Sequence, residues 1–184
     1  ALSLSGAQAG NYIVNATAAD VAAIAALGIT GSIVAGDKVY DGTTAASVTS
    51  SNLVGVIAPD AVTLVVGAAG FDNQNVGTRT ASAALSLIGG QAGNYSVNTT
   101  AADAADITAL GSTGNFPAPG RVYDGTPAAR VLTRTLNGVL AGDALNVSLT
   151  GGIASFADAL VANSKPVSLT GASLSGSAAG NYNL

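Results

Sequence analysis

The segment Ala92-Gly93-Asn94-Tyr95 decides how this sequence is interpreted, because it occurs three times. Ala9-Gly10-Asn11-Tyr12 lies 83 residues earlier, and Ala179-Gly180-Asn181-Tyr182 lies 87 residues later. A second segment, Tyr40-Asp41-Gly42-Thr43, recurs 83 residues on as Tyr123-Asp124-Gly125-Thr126. We name these segments the Gly-Asn-Tyr motif and the Tyr-Asp-Gly motif. Self-similarity at a fixed period predicts tandem repeats, here of about 85 residues each.

The positions of the two motifs predict three segments. Residues 33–116 form the first repeat, and residues 117–184 form a second repeat that lacks its last strand. Residues 1–32 correspond to the C-terminal strands of a preceding or neighbouring repeat. Unpaired strands and open sheet edges are costly. We therefore expect residues near 1–30 of one chain to complete the second repeat of a neighbour head to tail, or to be part of a longer covalent array of flanking repeats.

The composition excludes several classes of function. The chain of 184 residues has no cysteine, histidine, methionine or tryptophan, which excludes thiolate and imidazole metal sites and Cys/His nucleophile pairs. Ten aspartates and six basic residues give a formal net charge of −4, which argues against binding to nucleic acid or to an anionic membrane. No apolar run approaches the roughly 20 residues that membrane insertion requires.

The residues between the motifs predict short strands. Residues 61–66 (Ala-Val-Thr-Leu-Val-Val) are rich in β-branched side chains and follow a Pro-Asp turn. Leu85 and Leu87 alternate with serines, which is typical of a half-buried strand. Strands at roughly ten-residue spacing with regular turn signals indicate a sandwich. We therefore predict an all-β fold of tandem immunoglobulin-like β-sandwich repeats.

One segment of each repeat is compatible with two secondary structures. Residues 17–20 and 100–103 (both Thr-Ala-Ala-Asp) match a helix capping box, and alanines follow both. The alternative is the last strand of the repeat, with residues 106–108 in its middle. Alanine favours a helix by only fractions of a kcal/mol per residue, so a sheet can override it. We favour the strand, and for residues 16–27 both alternatives stay open.

The tyrosine of the Gly-Asn-Tyr motif has a structural interpretation. In immunoglobulin-like sandwiches, a tyrosine near the start of one strand bonds through its hydroxyl to an upstream backbone group, which forms a tyrosine corner. Val14 and Val97 follow Tyr12 and Tyr95 at the spacing of a core residue. We therefore predict that this tyrosine stabilises the fold and does not bind a ligand.

Carboxylates are the only catalytic material in the chain, and nearly all of them belong to the repeat. A glycosidase needs two carboxylates roughly 5–9.5 Å apart and usually aromatic platforms, whereas this chain has eight aromatic residues and most of its tyrosines lie in the motifs. We therefore predict no enzymatic activity and assign no catalytic residue. The charges that match between repeats are Asp20 with Asp103, Asp41 with Asp124, Asp60 with Asp143, Asp72 with Asp158, Lys38 with Arg121 and Arg79 with Lys165.

Residues 72–75 (Asp-Asn-Gln-Asn) are the one candidate for a metal site. Their oxygen atoms are ligands that calcium prefers. However, the segment has no Asp-x-Asp-x-Asp ladder and no counterpart in the second repeat, so an Asx turn is the simpler interpretation. We assign no metal ligand and no cofactor.

The two motifs give the chain a family resemblance. Lys38-Val39-Tyr40-Asp41-Gly42-Thr43-Thr44 and Arg121-Val122-Tyr123-Asp124-Gly125-Thr126 resemble the YDG repeats of large bacterial haemagglutinin-like surface adhesins of the two-partner secretion type. The resemblance implies immunoglobulin-type sandwiches in tandem, forming a stalk at the bacterial cell surface. It also implies that Asp41 and Asp124 hold a turn. The second repeat departs from the pattern at residues 161–164, where the run Asn-Val-Gly-Thr is lost.

These observations lead to two hypotheses of function. The first is a structural repeat module of an extracellular adhesin stalk or filament, whose partners are copies of itself or flanking repeats. The alternative is a module that binds a host or cell-surface glycan or protein through loops of one repeat. Arg130 and Arg134 replace Ser47 and Ser51 of the first repeat. On a strand these arginines would share one face. That face would either bind an acidic partner or remain solvated.

Overall fold

The computed structural model describes all 184 residues, and it confirms that the protein is all-β. Four single turns of 3₁₀ helix are the only helical elements, so no helix is long and apolar enough to cross a membrane. The strands are β1 (Leu27–Gly36), β2 (Lys38–Val39), β3 (Ala45–Val54), β4 (Thr63–Phe71), β5 (Gly77–Ile88), β6 (Tyr95–Val97), β7 (Thr100–Thr108), β8 (Leu110–Gly111), β9 (Thr113–Asn115), β10 (Thr135–Asn137), β11 (Ser148–Phe156), β12 (Val167–Ser175) and β13 (Tyr182–Asn183).

The first repeat of the structure begins at Leu27, before residue 33, and its strands β1 to β7 form one continuous sheet that curls on itself. Seven strands pair in the order β2-β7-β5-β4-β3-β1-β6, with β1–β6 and β2–β7 parallel and the other pairs antiparallel. Curling brings β1 against β7, which is four places away in the sheet. The Ala35 amide of β1 donates to Asp103 Oδ2 of β7 at 2.9 Å, and the Gly31 amide donates at 2.8 Å to Asn98 Oδ1, two residues before β7 begins. Side-chain acceptors therefore close the gap between strands that share no ladder.

The strands follow the two-residue period of their sequence. In β5, Ala81, Ala83 and Leu85 are buried while the residues between them are exposed. The same alternation in β7 buries Ala105 and Ile107, so residues 100–108 are a strand and the helical alternative is wrong there. The carboxylate of Asp103 does not cap a helix, because it accepts from a neighbouring strand.

Residues 17–25 are the repeat equivalents of β7, but they lie in no strand and no helix. Asp20 accepts only from the amide of Val21, at 2.8 Å, and Ile24 is fully exposed. These residues therefore form neither the strand nor the helix that their sequence allows.

The second repeat of the structure begins at Leu110, before residue 117, and its strands β8 to β13 reproduce most of the pairings of the first. The pair β13–β8 corresponds to β6–β1, β9–β10 corresponds to part of β1–β3, and β11–β12 corresponds to β4–β5. A bridge between Ala128 and Ser155 stands where β3 meets β4. Nothing corresponds to β7, so the second edge of β12 has no partner within the chain.

Arg130 and Arg134 do not lie on a strand, so that expectation is wrong. The cause is the opposing segment, where Pro117 and Pro119 stand at the positions of Val34 and Gly36 of β1. Proline has no amide proton to donate, and it interrupts a ladder. Only the Leu132 amide still bonds to this segment, at the Pro117 carbonyl.

Candidate functional site at the joint between the repeats

The Tyr-Asp-Gly motif of the first repeat forms a tight turn around one carboxylate. Oδ1 of Asp41 accepts from the Thr43 amide at 2.8 Å, the Thr43 hydroxyl at 2.9 Å and the Lys38 ammonium at 2.8 Å. The Lys38 bond is the main reason that the pKa of Asp41 falls to about 2, and the bonds from Thr43 add to it. Gly42 has φ of +75°, a conformation that glycine adopts without steric cost. The predicted side-chain bond to the backbone is present.

The second copy of the motif repeats this turn. The Thr126 amide and hydroxyl each donate to Asp124 Oδ1 at 2.9 Å, and these bonds lower the pKa of Asp124. Arg121 replaces Lys38 and bonds to both Asp124 and Thr126. Each cation also lies near a phenylalanine ring, with Arg121 Cζ 5.7 Å from the centre of Phe156. Local sequence is therefore sufficient to build this turn in both repeats.

The Gly-Asn-Tyr motif forms the predicted tyrosine corner. The Ile57 amide donates to the Tyr95 hydroxyl at 3.1 Å, and that hydroxyl donates to Asp60 Oδ2 at 2.6 Å. The bond to Asp60 raises the pKa of Tyr95, and loss of solvent adds to the effect. In the second repeat, the Leu140 amide donates to the Tyr182 hydroxyl at 3.2 Å. Sequence reasoning missed the carboxylate beneath each tyrosine, although the repetition of these aspartates was the available signal.

The two motifs meet at the joint between the repeats. Tyr40 of the first repeat and Tyr182 of the second both donate to Asp143 Oδ2, at 2.9 Å and 2.7 Å. The rings lie edge to face with centroids 5.6 Å apart, which is an arrangement that aromatic pairs prefer. Loss of solvent and the bond to Asp143 raise the pKa of Tyr182 to about 12 and also raise that of Tyr40. The joint is therefore a shared carboxylate held by two hydroxyls.

A buried amide adds specificity to the joint. The Val76 amide donates to Asn181 Oδ1 at 3.0 Å, and Asn181 Nδ2 donates to Asn75 Oδ1 at 3.0 Å. One apolar cluster also includes buried residues of both repeats, with Phe71 and Ile107 on one side and Val147 on the other. The repeats are thus joined by a continuous core and by polar contacts between named atoms.

Equivalent residues differ in exposure according to whether a repeat lies next to them. Tyr40 is 3 % exposed at the joint, whereas Tyr123 is 62 % exposed, with no repeat beyond it in the chain. Asn181 is buried, whereas Asn94 is exposed and its side chain makes no hydrogen bond within the chain. Tyr123 and Asn94 are therefore the exposed equivalents of residues that the joint buries.

The aspartates have structural contacts throughout the chain. Each of the ten carboxylates accepts at least one hydrogen bond from an amide, a hydroxyl or a basic side chain. The candidate calcium segment is an Asx turn, in which Asn73 Oδ1 accepts from the Asn75 amide at 2.8 Å and Asp72 Oδ1 accepts from the Thr80 amide. The structure has no group of three or more carboxylates that could hold a metal ion.

Two repeats that are joined through recurring positions of the period define a tandem-repeat protein with a structural joint. The family model described as the YDG domain matches residues 25–102 and again residues 109–184. The chain belongs to the YDG domain family, and it contains two copies of the domain. No significant match to the chain was found among curated proteins or among solved structures.

Proposed function

We propose that this chain is a non-enzymatic structural repeat module of a bacterial extracellular adhesin stalk or filament, assembled head to tail by strand complementation. The joint is the observation that carries the proposal. A carboxylate shared by Tyr40 and Tyr182, together with a core common to both repeats, holds successive domains at one orientation. A stalk needs such a fixed orientation, because its extended length depends on each repeat being held at a constant angle to the next.

Small-angle X-ray scattering tests this function. The expected result, at dilutions where the chain does not associate, is a rigid particle whose distance distribution agrees with the two joined repeats. Asp143→Ala removes the shared acceptor, so this variant should give the broadened distribution of two domains that move independently. Asp124→Ala is the matched control, because Asp124 lies in the exposed turn outside the joint. A wild-type particle as flexible as Asp143→Ala would contradict the stalk. Antibody labelling of intact cells tests the extracellular location.

A receptor-binding module is the second candidate. The observation that favours it is an asymmetry, because Arg130 and Arg134 are exposed, form no ion pair and replace serines of the first repeat. Arg134 Nε donates to the Gly151 carbonyl at 2.9 Å, which leaves the other guanidinium nitrogens free for an acidic glycan or protein. Glycan-array binding that is lost in Arg130→Ala and Arg134→Ala would favour this candidate over a purely structural role.

We also propose an immunoglobulin-like architecture for each domain, as a strongly curled variant of the sandwich. The support is the contact of β1 with β7 across the interior, together with the tyrosine corner formed by Tyr95 and the backbone of Ile57. An experimental structure in which β1 and β7 separate would contradict this description.

A further inference from the structure

The loop between β4 and β5 of the first repeat binds Asn181 of the second repeat. The Val76 amide donates to Asn181 Oδ1 at 3.0 Å, and Asn181 Nδ2 donates to Asn75 Oδ1 at 3.0 Å. A backbone amide can only donate, so it turns the oxygen of the Asn181 side chain toward Val76 and the nitrogen toward Asn75. Residues 72–76, which we name the joint loop, therefore contact both the acceptor and the donor of this side chain.

Arg79 of β5 holds the joint loop from within the first repeat. Its Nε donates to the Asn75 carbonyl at 2.8 Å, and its Nη2 donates to the Val76 carbonyl at 2.9 Å. Hydrogen bonds from a guanidinium are charge-assisted, and its planar fork binds two acceptors at fixed positions. Arg79 forms no ion pair, so its hydrogen bonds within the chain go to the carbonyls of the loop.

The bonds inside the loop determine which of its groups face the second repeat. The Asn75 amide donates to Asn73 Oδ1 at 2.8 Å, and the carbonyls of Asn75 and Val76 both accept from Arg79. The Val76 amide and the Asn75 side chain remain. The loop therefore presents one donor and one acceptor, and Asn181 bonds to both.

Asn181 is fixed in position on the side of the second repeat. Its backbone amide donates to the Ala178 carbonyl at 3.0 Å, within the 3₁₀ turn that precedes β13, and its side chain is buried. This side chain makes no hydrogen bond within its own repeat. Burial of an amide without partners is costly. The joint loop supplies the partners that make the burial of Asn181 favourable.

The corresponding loop of the second repeat lacks the group that accepts from Asn181. Lys165 stands at the position of Arg79, and it bonds to a carbonyl and a carboxylate of its own loop. Counted back from these two basic residues, Val161 stands at the position of Asn75. A valine side chain has no hydrogen-bonding group. The acceptor for Asn181 is therefore specific to the first repeat.

We propose that Arg79 is a positioning residue of the joint, and that Asn75 makes the first repeat selective for a following domain with asparagine before its corner tyrosine. This inference rests on the proposed stalk, and it names the residues that select the neighbour. Arg79 acts through the joint loop, because it bonds to two loop carbonyls and not to Asn181. The Tyr-Asp-Gly motif occurs in both repeats and does not distinguish them, whereas Asn75 does.

Hydrogen exchange of the Val76 amide, followed by NMR on the full chain, tests the contact. Asn181→Ala removes the acceptor, so this amide should exchange at least about fivefold faster, as expected for the loss of one hydrogen bond. Asn94→Ala is the matched control, since Asn94 has the same place in its motif and its side chain makes no hydrogen bond within the chain. In the control the rate should stay within about twofold of the wild-type rate. An unchanged rate in Asn181→Ala would overturn the inference.

A double-mutant cycle tests the positioning role of Arg79. Arg79→Ala alone should increase the exchange rate of the Val76 amide at least about fivefold. Addition of Asn181→Ala to that variant should change the rate by less than about twofold, because the contact is already lost. An arginine that only stabilises its own repeat would give two effects that multiply, and this result would contradict the role.

Arg79→Lys provides a second variant with a milder change. It keeps the charge but has no planar fork, so the Val76 amide should exchange faster than in the wild-type chain. Exchange at the wild-type rate would contradict the requirement for two fixed donors.

The selectivity of Asn75 is tested with the residue that the second loop carries. In an Asn75→Val chain, Asn181→Ala should raise the exchange rate of the Val76 amide by a factor at least about threefold smaller than in the wild-type chain. Val161→Asn is the matched control, and it should leave that factor unchanged. The same factor in all three chains would refute the selection by Asn75.

Scattering separates this inference from the proposed stalk. A rigid wild-type particle in which the effects of Arg79→Ala and Asn181→Ala multiply would refute the positioning role and leave the stalk intact. A flexible wild-type particle would refute both.

Discussion

Because the joint depends on hydroxyl groups that donate to Asp143, removal of a single oxygen atom should weaken it. Tyr40→Phe removes the hydroxyl that donates to Asp143 at 2.9 Å, and it keeps the ring that packs edge to face against Tyr182. Tyr123→Phe makes the same chemical change at the equivalent position of the second repeat. There the side chain is 62 % exposed and its hydroxyl makes no hydrogen bond within the chain. The two variants differ only in the presence of a neighbouring repeat.

The geometry gives the expected size of each effect. A hydrogen bond to a charged acceptor contributes about 1.5–3 kcal/mol to stability. Asp143 retains the bond from Tyr182 in the variant, which favours a loss near the lower end, about 2 kcal/mol. A loss of that size lowers the thermal midpoint of a chain of this length by roughly 4–8 °C. Tyr123→Phe removes no protein hydrogen bond, and we expect a change within about 0.5 kcal/mol.

Thermal and urea unfolding followed by circular dichroism measure both effects. The chain must be dilute, so that contacts between copies do not contribute to the unfolding of either variant. Equal destabilisation by the two variants would mean that the hydroxyl acts within its own turn and not across the joint. An unchanged midpoint for Tyr40→Phe would refute the shared carboxylate as a source of stability.

Three further outcomes follow from the same geometry. Tyr95→Phe leaves the Ile57 amide without its acceptor and should cost about 1–3 kcal/mol in urea unfolding; no change would argue against the tyrosine corner. Gly42→Ala and Gly125→Ala both strain a positive φ, at roughly 1 kcal/mol, and Gly42→Ala should cost more because its new Cβ lies 3.3 Å from a leucine methyl of the second repeat. In a variant in which the exposed Tyr12 and Tyr123 are replaced by phenylalanine, only Tyr40, Tyr95 and Tyr182 remain. Ultraviolet titration of this variant should show tyrosine ionisation above pH 10, with the pKa of Tyr182 near 12. Since that folded pKa lies above the unfolded value near 10, the stability that the neutral hydroxyl supplies is complete below pH 10 and is lost as the pH rises through 12.

Local patterns in the sequence predict the elements that local interactions build. The recurrence of both motifs gives the repeat, and the alternation in residues 80–88 gives a strand that the structure places at β5. The turn at Asp41 forms from residues within five positions of one another. The tyrosine corner was also predictable, because the family of sandwiches that uses it has a recognisable spacing around the tyrosine.

Contacts between distant residues could not be predicted in the same way. Tyr40 and Asp143 are 103 residues apart, and no period or turn signal relates them. Tyr40 and Tyr123 have nearly the same local sequence, yet one is buried and the other exposed, so local sequence cannot decide between them. The irregular segment at Arg130 and Arg134 depended on prolines across the sheet, a tertiary effect that strand periodicity does not reveal.

A shared acceptor makes the stability of one repeat depend on the next. Asp143 belongs to the tyrosine corner of the second repeat through Tyr182 and to the joint through Tyr40, so separation of the repeats also weakens an internal contact. In a linear array, stability is the sum of what each repeat contributes and what each neighbour pair contributes. Separation of the two repeats therefore removes the contribution of the pair and also lowers the stability of the second repeat itself.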